Sequence, residues 1–201
     1  MKGKYLLMTG APGSRWSGVA NRIHASVDFD HSDDTEERSF SHHNGLIHGG
    51  AYFDPMMEFE NSRKNWDKPF MKRGGSTGYP RSMSTGIRLI KSHTFAYKLE
   101  TLKEHPIIMV LRNDYECLTW WLECGGFDIP YPNYAWYKNE DQMFTQIQLQ
   151  NQAITTFIYK NRDKVIKCKT NWELLDVLGL DSSVTCDGYD KKDVSVYVYQ
   201  P

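Results

Sequence analysis

The stretch Tyr5-Leu6-Leu7-Met8-Thr9-Gly10-Ala11-Pro12-Gly13-Ser14-Arg15-Trp16-Ser17-Gly18 decides the fold. The apolar run from Lys4 to Thr9 stops at a Gly-Pro-Gly turn, the pattern of a buried strand. From Ser17 to Ser26, Val19, Ala20 and Ile23 share one face, which predicts a helix. A turn of small residues between a strand and a helix points several backbone N–H groups inward, and the helix end adds partial positive charge. Such a turn can cradle a phosphate; the plainer alternative is a connection with no ligand. The nucleoside-triphosphate pattern G-x-x-x-x-G-K-[ST] is not met. Counted from Gly10, it puts Arg15 where glycine is needed and Trp16 where lysine is needed, and only Ser17 fits.

Working outward, a strand at 87–91 ends in Lys91-Ser92-His93 and precedes a helix from Thr94 to Lys103. A strand at 106–111 closes on Arg112-Asn113-Asp114, and a helix runs from Asp114 to about Cys124, stopped by Gly125-Gly126. Phe127 to Tyr137 is a proline and aromatic loop. A long helix spans about Glu140 to Asn161. A strand at 164–168 and a helix from Asn171 to Leu178, with Asn171 as N-cap, come next. Val194 to Tyr199 alternates β-branched and aromatic residues and predicts a last edge strand. Residues 28–86 break this rhythm and read as an irregular insertion, with a short helix near Pro55 to Asn65. Strand-helix alternation predicts an α/β fold of three layers, with a central parallel sheet flanked by helices. Ligands of such sheets bind at the carboxyl ends of the strands, where all three candidate segments fall.

The 201 residues are enough for one domain with a full core. A net charge of -1 gives no global pull toward nucleic acid or anionic lipid. No leader-like segment and no apolar run near the roughly 18 residues of a membrane span is seen. Cys117, Cys124, Cys168 and Cys186 form no CxxC pair and read as reduced thiols of a cytoplasmic protein.

The three segments together resemble the sulfotransferases that use 3′-phosphoadenylyl sulfate (PAPS). That family has a first loop written roughly T-x-P-[KR]-S-G-T-T, a K-T-H at a later strand end, and R-[ND]-P followed by a serine. The corresponding residues here are Pro12 to Ser17, Lys91-Ser92-His93 and Arg112-Asn113-Asp114. The likeness covers roughly residues 4–26 and 87–178. It implies a P-loop-like fold in which 28–86 shapes the acceptor pocket. It implies PAPS as donor, adenosine 3′,5′-bisphosphate (PAP) as product, and a small-molecule or glycan hydroxyl as acceptor, with no metal required. By the same likeness His93 is the catalytic base, and Lys91 and Arg15 neutralise charge on the leaving phosphate. Pro12, Gly13, Ser14, Arg15, Trp16, Ser17 and Gly18 hold the 5′-phosphate, and Arg112 with Thr119 binds the 3′-phosphate. The chain departs from the pattern in four places, one being the absence of the family's C-terminal basic loop R-K-G-x-x-G, for which Lys191-Lys192 is the candidate substitute. Its loop cation is Arg15 rather than residue 13, Trp16 replaces a small hydroxyl residue, and Trp120 stands where the serine is expected.

Each group has a bland reading too. His93 alone would be a strand-end histidine bonded to backbone, Arg112 a partner of Asp114 or Glu116, and Lys91 a solvated cation. Two other readings of the chain stand beside the enzyme: a non-catalytic nucleotide-binding module and a kinase-like phosphotransferase. His42, His43 and His48 match no zinc spacing. The basic residues from Arg63 to Arg81 read as a solvated surface before a nucleic-acid groove. Trp120 and Trp121 read as the core side of their helix.

Overall fold

A computed structural model describes residues 4–24, 26, 28–30, 50–52, 66, 86–128, 138–181 and 194–201. The helix expected at 55–65, the three loop histidines, the basic stretch and Cys186 lie outside the described residues.

The elements are β1 (Tyr5–Gly10), α1 (Trp16–His24), β2 (Ala51–Tyr52), β3 (Arg88–Lys91), a 3-10 helix (His93–Leu102) and β4 (Ile107–Arg112). Then come α2 (Asp114–Glu123), α3 (Glu140–Lys160), β5 (Val165–Cys168), α4 (Asn171–Leu178) and β6 (Val194–Tyr199). They make an α/β fold around one sheet of order β2-β3-β1-β4-β6-β5, in which β2 is only two residues long.

Alternation along the strands builds both cores. Leu6, Met8, Leu89, Ile108, Val110 and Val198 face one side and pack with α1 and α4 through Val19, Ile23, Leu174 and Leu178. Leu7, Ile90, Ile107, Met109 and Tyr199 face the other and pack against the 3-10 helix and α3 through Phe95, Leu99, Ile154 and Phe157. A strand covered on both faces must be apolar at every position, which is why β1 and β4 are unbroken runs. A smaller cluster of Ala11, Cys117, Trp121, Met143 and Ile147 joins α2 and α3 beyond the carboxyl end of β1.

Four expectations are corrected. The sheet is mixed rather than parallel: β2, β3, β1 and β4 run parallel, and β6 is antiparallel to both β4 and β5. β6 is therefore an interior strand and β5 the edge. Sequence alternation reports burial of side chains but not which backbone edges are paired. The helix after β3 is wound as a 3-10 helix. Its buried residues include His93, Ala96, Leu99 and Leu102, a spacing of three that lines one side of a three-residue turn. The N-cap of α4 is Thr170 rather than Asn171: its hydroxyl accepts from the Glu173 N–H, and the Glu173 carboxylate accepts from the Lys169 N–H at 2.5 Å.

Two described residues of the insertion reach the core: Phe29 joins the cluster under α1 and α4, and Trp66 the opposite one. Trp66 is buried edge-on against Tyr5, Phe95 and His105, and its carbonyl accepts a hydrogen bond from the fully buried Arg88 guanidinium. The chain thus passes under the amino ends of β1 and β3 before β3 begins. Asp30 N–H donates to Ile87 and Ile87 N–H to Asp28, which pins the insertion's start beside its end.

The interior position of β6 has a direct readout. From Val196 to Tyr199 the strand is paired on both sides, so successive amides there should all exchange slowly with solvent deuterium. Alternating fast and slow amides over these four residues, the signature of an edge strand, would contradict the order found.

Candidate functional site

Because β1 lies between β3 and β4, the loop that leaves it emerges between their carboxyl ends. Lys91 and His93 stand on one side and Arg112 on the other. The three segments singled out in the sequence therefore meet at one place.

The loop is tightly wound. Ser14 N–H donates to the Ala11 carbonyl and Gly18 N–H to the Arg15 carbonyl, each at 3.0 Å. Gly13 has φ +75° and Arg15 φ +64°, the one non-glycine residue with positive φ among those described. A left-handed arginine costs roughly 1–2 kcal/mol, which the surrounding contacts must offset. At Gly13 a Cβ would lie 1.9 Å from the Cys117 carbonyl oxygen, so the loop presses directly on the backbone of α2. At Gly10 a Cβ would lie 2.6 Å from the Ser14 hydroxyl and 3.0 Å from the Val110 carbonyl. Ser14 is fully buried, and its hydroxyl has no hydrogen-bond partner among the described residues. No acidic residue stands in the first turn of α1. An unsatisfied hydroxyl, glycines that bring backbone close, and a helix N-terminus with no acid in its first turn fit an anionic group such as a phosphate.

His93 is held against this loop. Its Nδ1 is hydrogen-bonded to the Gly10 carbonyl. A carbonyl only accepts, so Nδ1 carries the proton and Nε2 carries the lone pair. The ring stacks on Trp16 with centroids 4.0 Å apart and planes 24° from parallel. Burial, partly opposed by the Gly10 bond and reinforced by the charge of Lys91, depresses the His93 pKa to about 4. The imidazole is thus neutral at pH 7. The backbone bond expected of a structural histidine is present, and the same bond orients a general base. Lys91 is also fully buried, with its ammonium 5.9 Å from the centroid of Trp16.

Arg112 clasps the loop to α2. Its Nη1 donates to the Gly13 carbonyl at 3.2 Å and to the Glu116 carbonyl at 2.9 Å, and its Nε lies 3.6 Å from the Glu116 carboxylate. Of the two acidic partners considered for it, the ion pair is with Glu116. Arg15 lies over Trp120, its guanidinium carbon 3.9 Å from the ring centroid. Trp121 alone of the tryptophan pair is buried in the core. Thr119 is exposed on α2, and its side chain makes no hydrogen bond among the described residues. Pro12 is buried, and Ser17 and Gly18 are half-buried in the first turn of α1.

Two contributors were not anticipated. Asn151, from the middle of α3, donates to the Arg112 carbonyl at 2.9 Å and to the Asp114 carboxylate at 2.7 Å, fixing the β4–α2 corner. Nothing in Gln148-Leu149-Gln150-Asn151-Gln152 separates the buried Gln150 and Asn151 from the exposed Gln148 and Gln152. The stack of Trp16 on His93 was likewise not legible, since it joins residues 77 positions apart. Among the described residues the thiols offer no activated nucleophile: burial pushes Cys117 up to about 12 and Cys168 up to about 11, and Cys124 is also raised. Among the described residues no group of three metal-ligating side chains occurs, and no helix is long and apolar enough to cross a membrane.

Two outcomes follow from this geometry. Gly13→Ala should lower the unfolding free energy by roughly 2 kcal/mol or more, because it joins a left-handed backbone to a clash with rigid backbone; denaturant melts check this, and a neutral result would contradict the close approach. His93 binds its proton more weakly folded than unfolded, so its contribution to stability is complete above pH 6.5 and lost as pH falls toward about 4. The loss is on the order of 3 kcal/mol. Unfolding measured at pH 7 and pH 4.5 should show a larger drop for the parent than for His93→Gln.

Comparison with protein-family models, with curated proteins and with solved structures finds no match for the chain.

Proposed function

We propose that the chain is a PAPS-dependent sulfotransferase acting on a hydroxyl acceptor. The observation that carries the reading is the bond from His93 Nδ1 to the Gly10 carbonyl. It sets a neutral imidazole directly at the mouth of a phosphate-type loop, with the buried Lys91 beside it. The strand order β3-β1-β4 around that loop supports a P-loop-like arrangement.

The reaction is an in-line displacement at sulfur. Nε2 of His93 takes the proton of the acceptor hydroxyl, and the acceptor oxygen forms a bond to sulfur. The bond between sulfur and the phosphate-bridging oxygen breaks, and PAP leaves with that electron pair. Lys91 and Arg15 stabilise the negative charge gathering on the leaving phosphate. Ser14, Ser17 and the loop N–H groups hold the 5′-phosphate. Arg112, at the end of β4, is assigned to the 3′-phosphate by its position and its planar set of donors. Positioning and charge stabilisation carry such transfers, with little covalent work for the protein. A general base contributes roughly 10²–10⁴-fold when its pKa lies near the working pH, and His93, held at about 4, falls at the lower end of that range.

One observation favours a second reading, a nucleotide-binding module without turnover: Arg112 already bonds Gly13 and Glu116. A kinase-like phosphotransferase is opposed by Trp16 at the position a phosphate-binding lysine would need.

Thermal-shift titration separates these readings. PAP should stabilise the protein, by about 2.7 kcal/mol at 100 times its dissociation constant, while AMP does so less. Stabilisation by ATP with Mg²⁺ but not by PAP would favour the kinase-like reading. With PAPS and an acceptor hydroxyl, His93→Gln should lose turnover by roughly 10²-fold or more and keep PAP affinity. Binding without turnover in the parent would leave the module reading standing.

A further inference from the structure

Both members of the proposed catalytic pair rest on one side chain. Trp16 opens α1 and is 5% exposed, packed in the same core as Leu6, Met8 and Val19. One imidazole, that of His93, lies face to face with its ring at 4.0 Å, and the Lys91 ammonium approaches the same ring at 5.9 Å. A hydroxyl residue at this position would offer a hydrogen bond to a phosphate but no flat face. Tryptophan offers the face and no acceptor.

The stack answers a mechanical problem. The torsion that turns an imidazole about its Cβ–Cγ bond is broad and roughly two-fold. A single hydrogen bond from Nδ1 to Gly10 limits that swing only weakly. An aromatic plane lying 24° from parallel restricts it much further. The same ring shields the imidazole from water, which opposes protonation before an acceptor arrives. The electron-rich indole face also attracts an ammonium that burial would otherwise leave poorly solvated.

We propose that Trp16 is the positioning residue of this site, fixing by stacking the plane of the His93 ring, whose tautomer the Gly10 carbonyl sets, and holding the Lys91 ammonium beside it by cation–π attraction. The inference rests on the reading of His93 as the base. It assigns to Trp16 a task different from the phosphate contact that the loop's likeness to the sulfotransferases implies.

The groups that face the His93 ring include Trp16 from α1, the Gly10 carbonyl from β1 and Lys91 from β3. Lys91 disfavours the imidazolium and Gly10 favours it, so removing the indole acts on a defined background. The experiment is a side-chain NMR titration of histidine nitrogens in the full chain, with His93 assigned by the signal missing in His93→Gln. In the parent, His93 should stay neutral down to about pH 4 with its proton on Nδ1. Trp16→Phe should keep both properties. In Trp16→Ala the midpoint should rise by about one pH unit toward the ordinary value as water reaches the ring, and the Nδ1 proton should exchange faster. Trp16→Leu fills the space without an aromatic plane. It provides the test if the alanine variant does not fold, and it too should lose the slowly exchanging Nδ1 proton.

A parent-like midpoint and a parent-like Nδ1 proton in the folded alanine or leucine variant would overturn the assignment. PAP titration of the same samples keeps the two readings apart. Failure of the parent to bind PAP would sink the sulfotransferase reading and leave the NMR result to judge the stack alone.

Discussion

Pairing on both edges and burial on both faces fix β1, and the site depends on that confinement. A one-residue shift of a strand locked between β3 and β4 would exchange Leu6 and Met8 with Leu7 between the two cores and break the packing of both. Its last residue, Gly10, is therefore a fixed reference point. The His93 ring is hung from the Gly10 carbonyl, and the Ser14 hydroxyl sits where a Gly10 side chain would be. The loop beyond it is pressed against Cys117 and tied by Arg112. A mobile strand could present the same residues, but not an imidazole, a cation and a helix end in constant relation.

Much of this layout was legible in the sequence because it follows from local rules. The apolar runs at 5–10 and 107–112, the small-residue turn and the Gly125-Gly126 stop each announce their element through backbone or burial requirements. Reading strand ends then brought Lys91, His93 and Arg112 to the loop. What stayed hidden is non-local. That β6 enters between β4 and β5 depends on backbone pairing across more than eighty residues, from Arg112 to Val194, and no periodicity records it. The engagement of Arg112 with Gly13 and Glu116, and of Asn151 with the β4–α2 corner, likewise appears only when separate segments are packed. Thr170 displaced Asn171 as N-cap because both residue types can cap, and only the geometry of the Glu173 N–H decides between them.

The site combines satisfied and unsatisfied groups in a consistent way. His93 and Arg112 are bonded to backbone carbonyls, which orders them in advance at no cost when a ligand arrives. Ser14 carries the opposite condition, a buried hydroxyl without a hydrogen-bond partner among the described residues. A left-handed Arg15 adds local strain at the same loop. Strain and an unmet hydrogen bond clustered within two residues are what a loop built to receive an anion would hold.

The place of β6 also bears on how the molecule is made. β5 forms no ladder with β4 and joins the sheet only through β6. During synthesis, β1, β3 and β4 can assemble as soon as they emerge. Until residues 194–199 leave the ribosome β5 has no partner strand on either edge, and in the finished sheet one edge and the half-exposed Ile166 stay open. Closure is then a long-range event, slow relative to helix formation. The half of the sheet that bears the loop is thus independent of the last strand for its pairing, while the β5–α4 layer is held back to the final step.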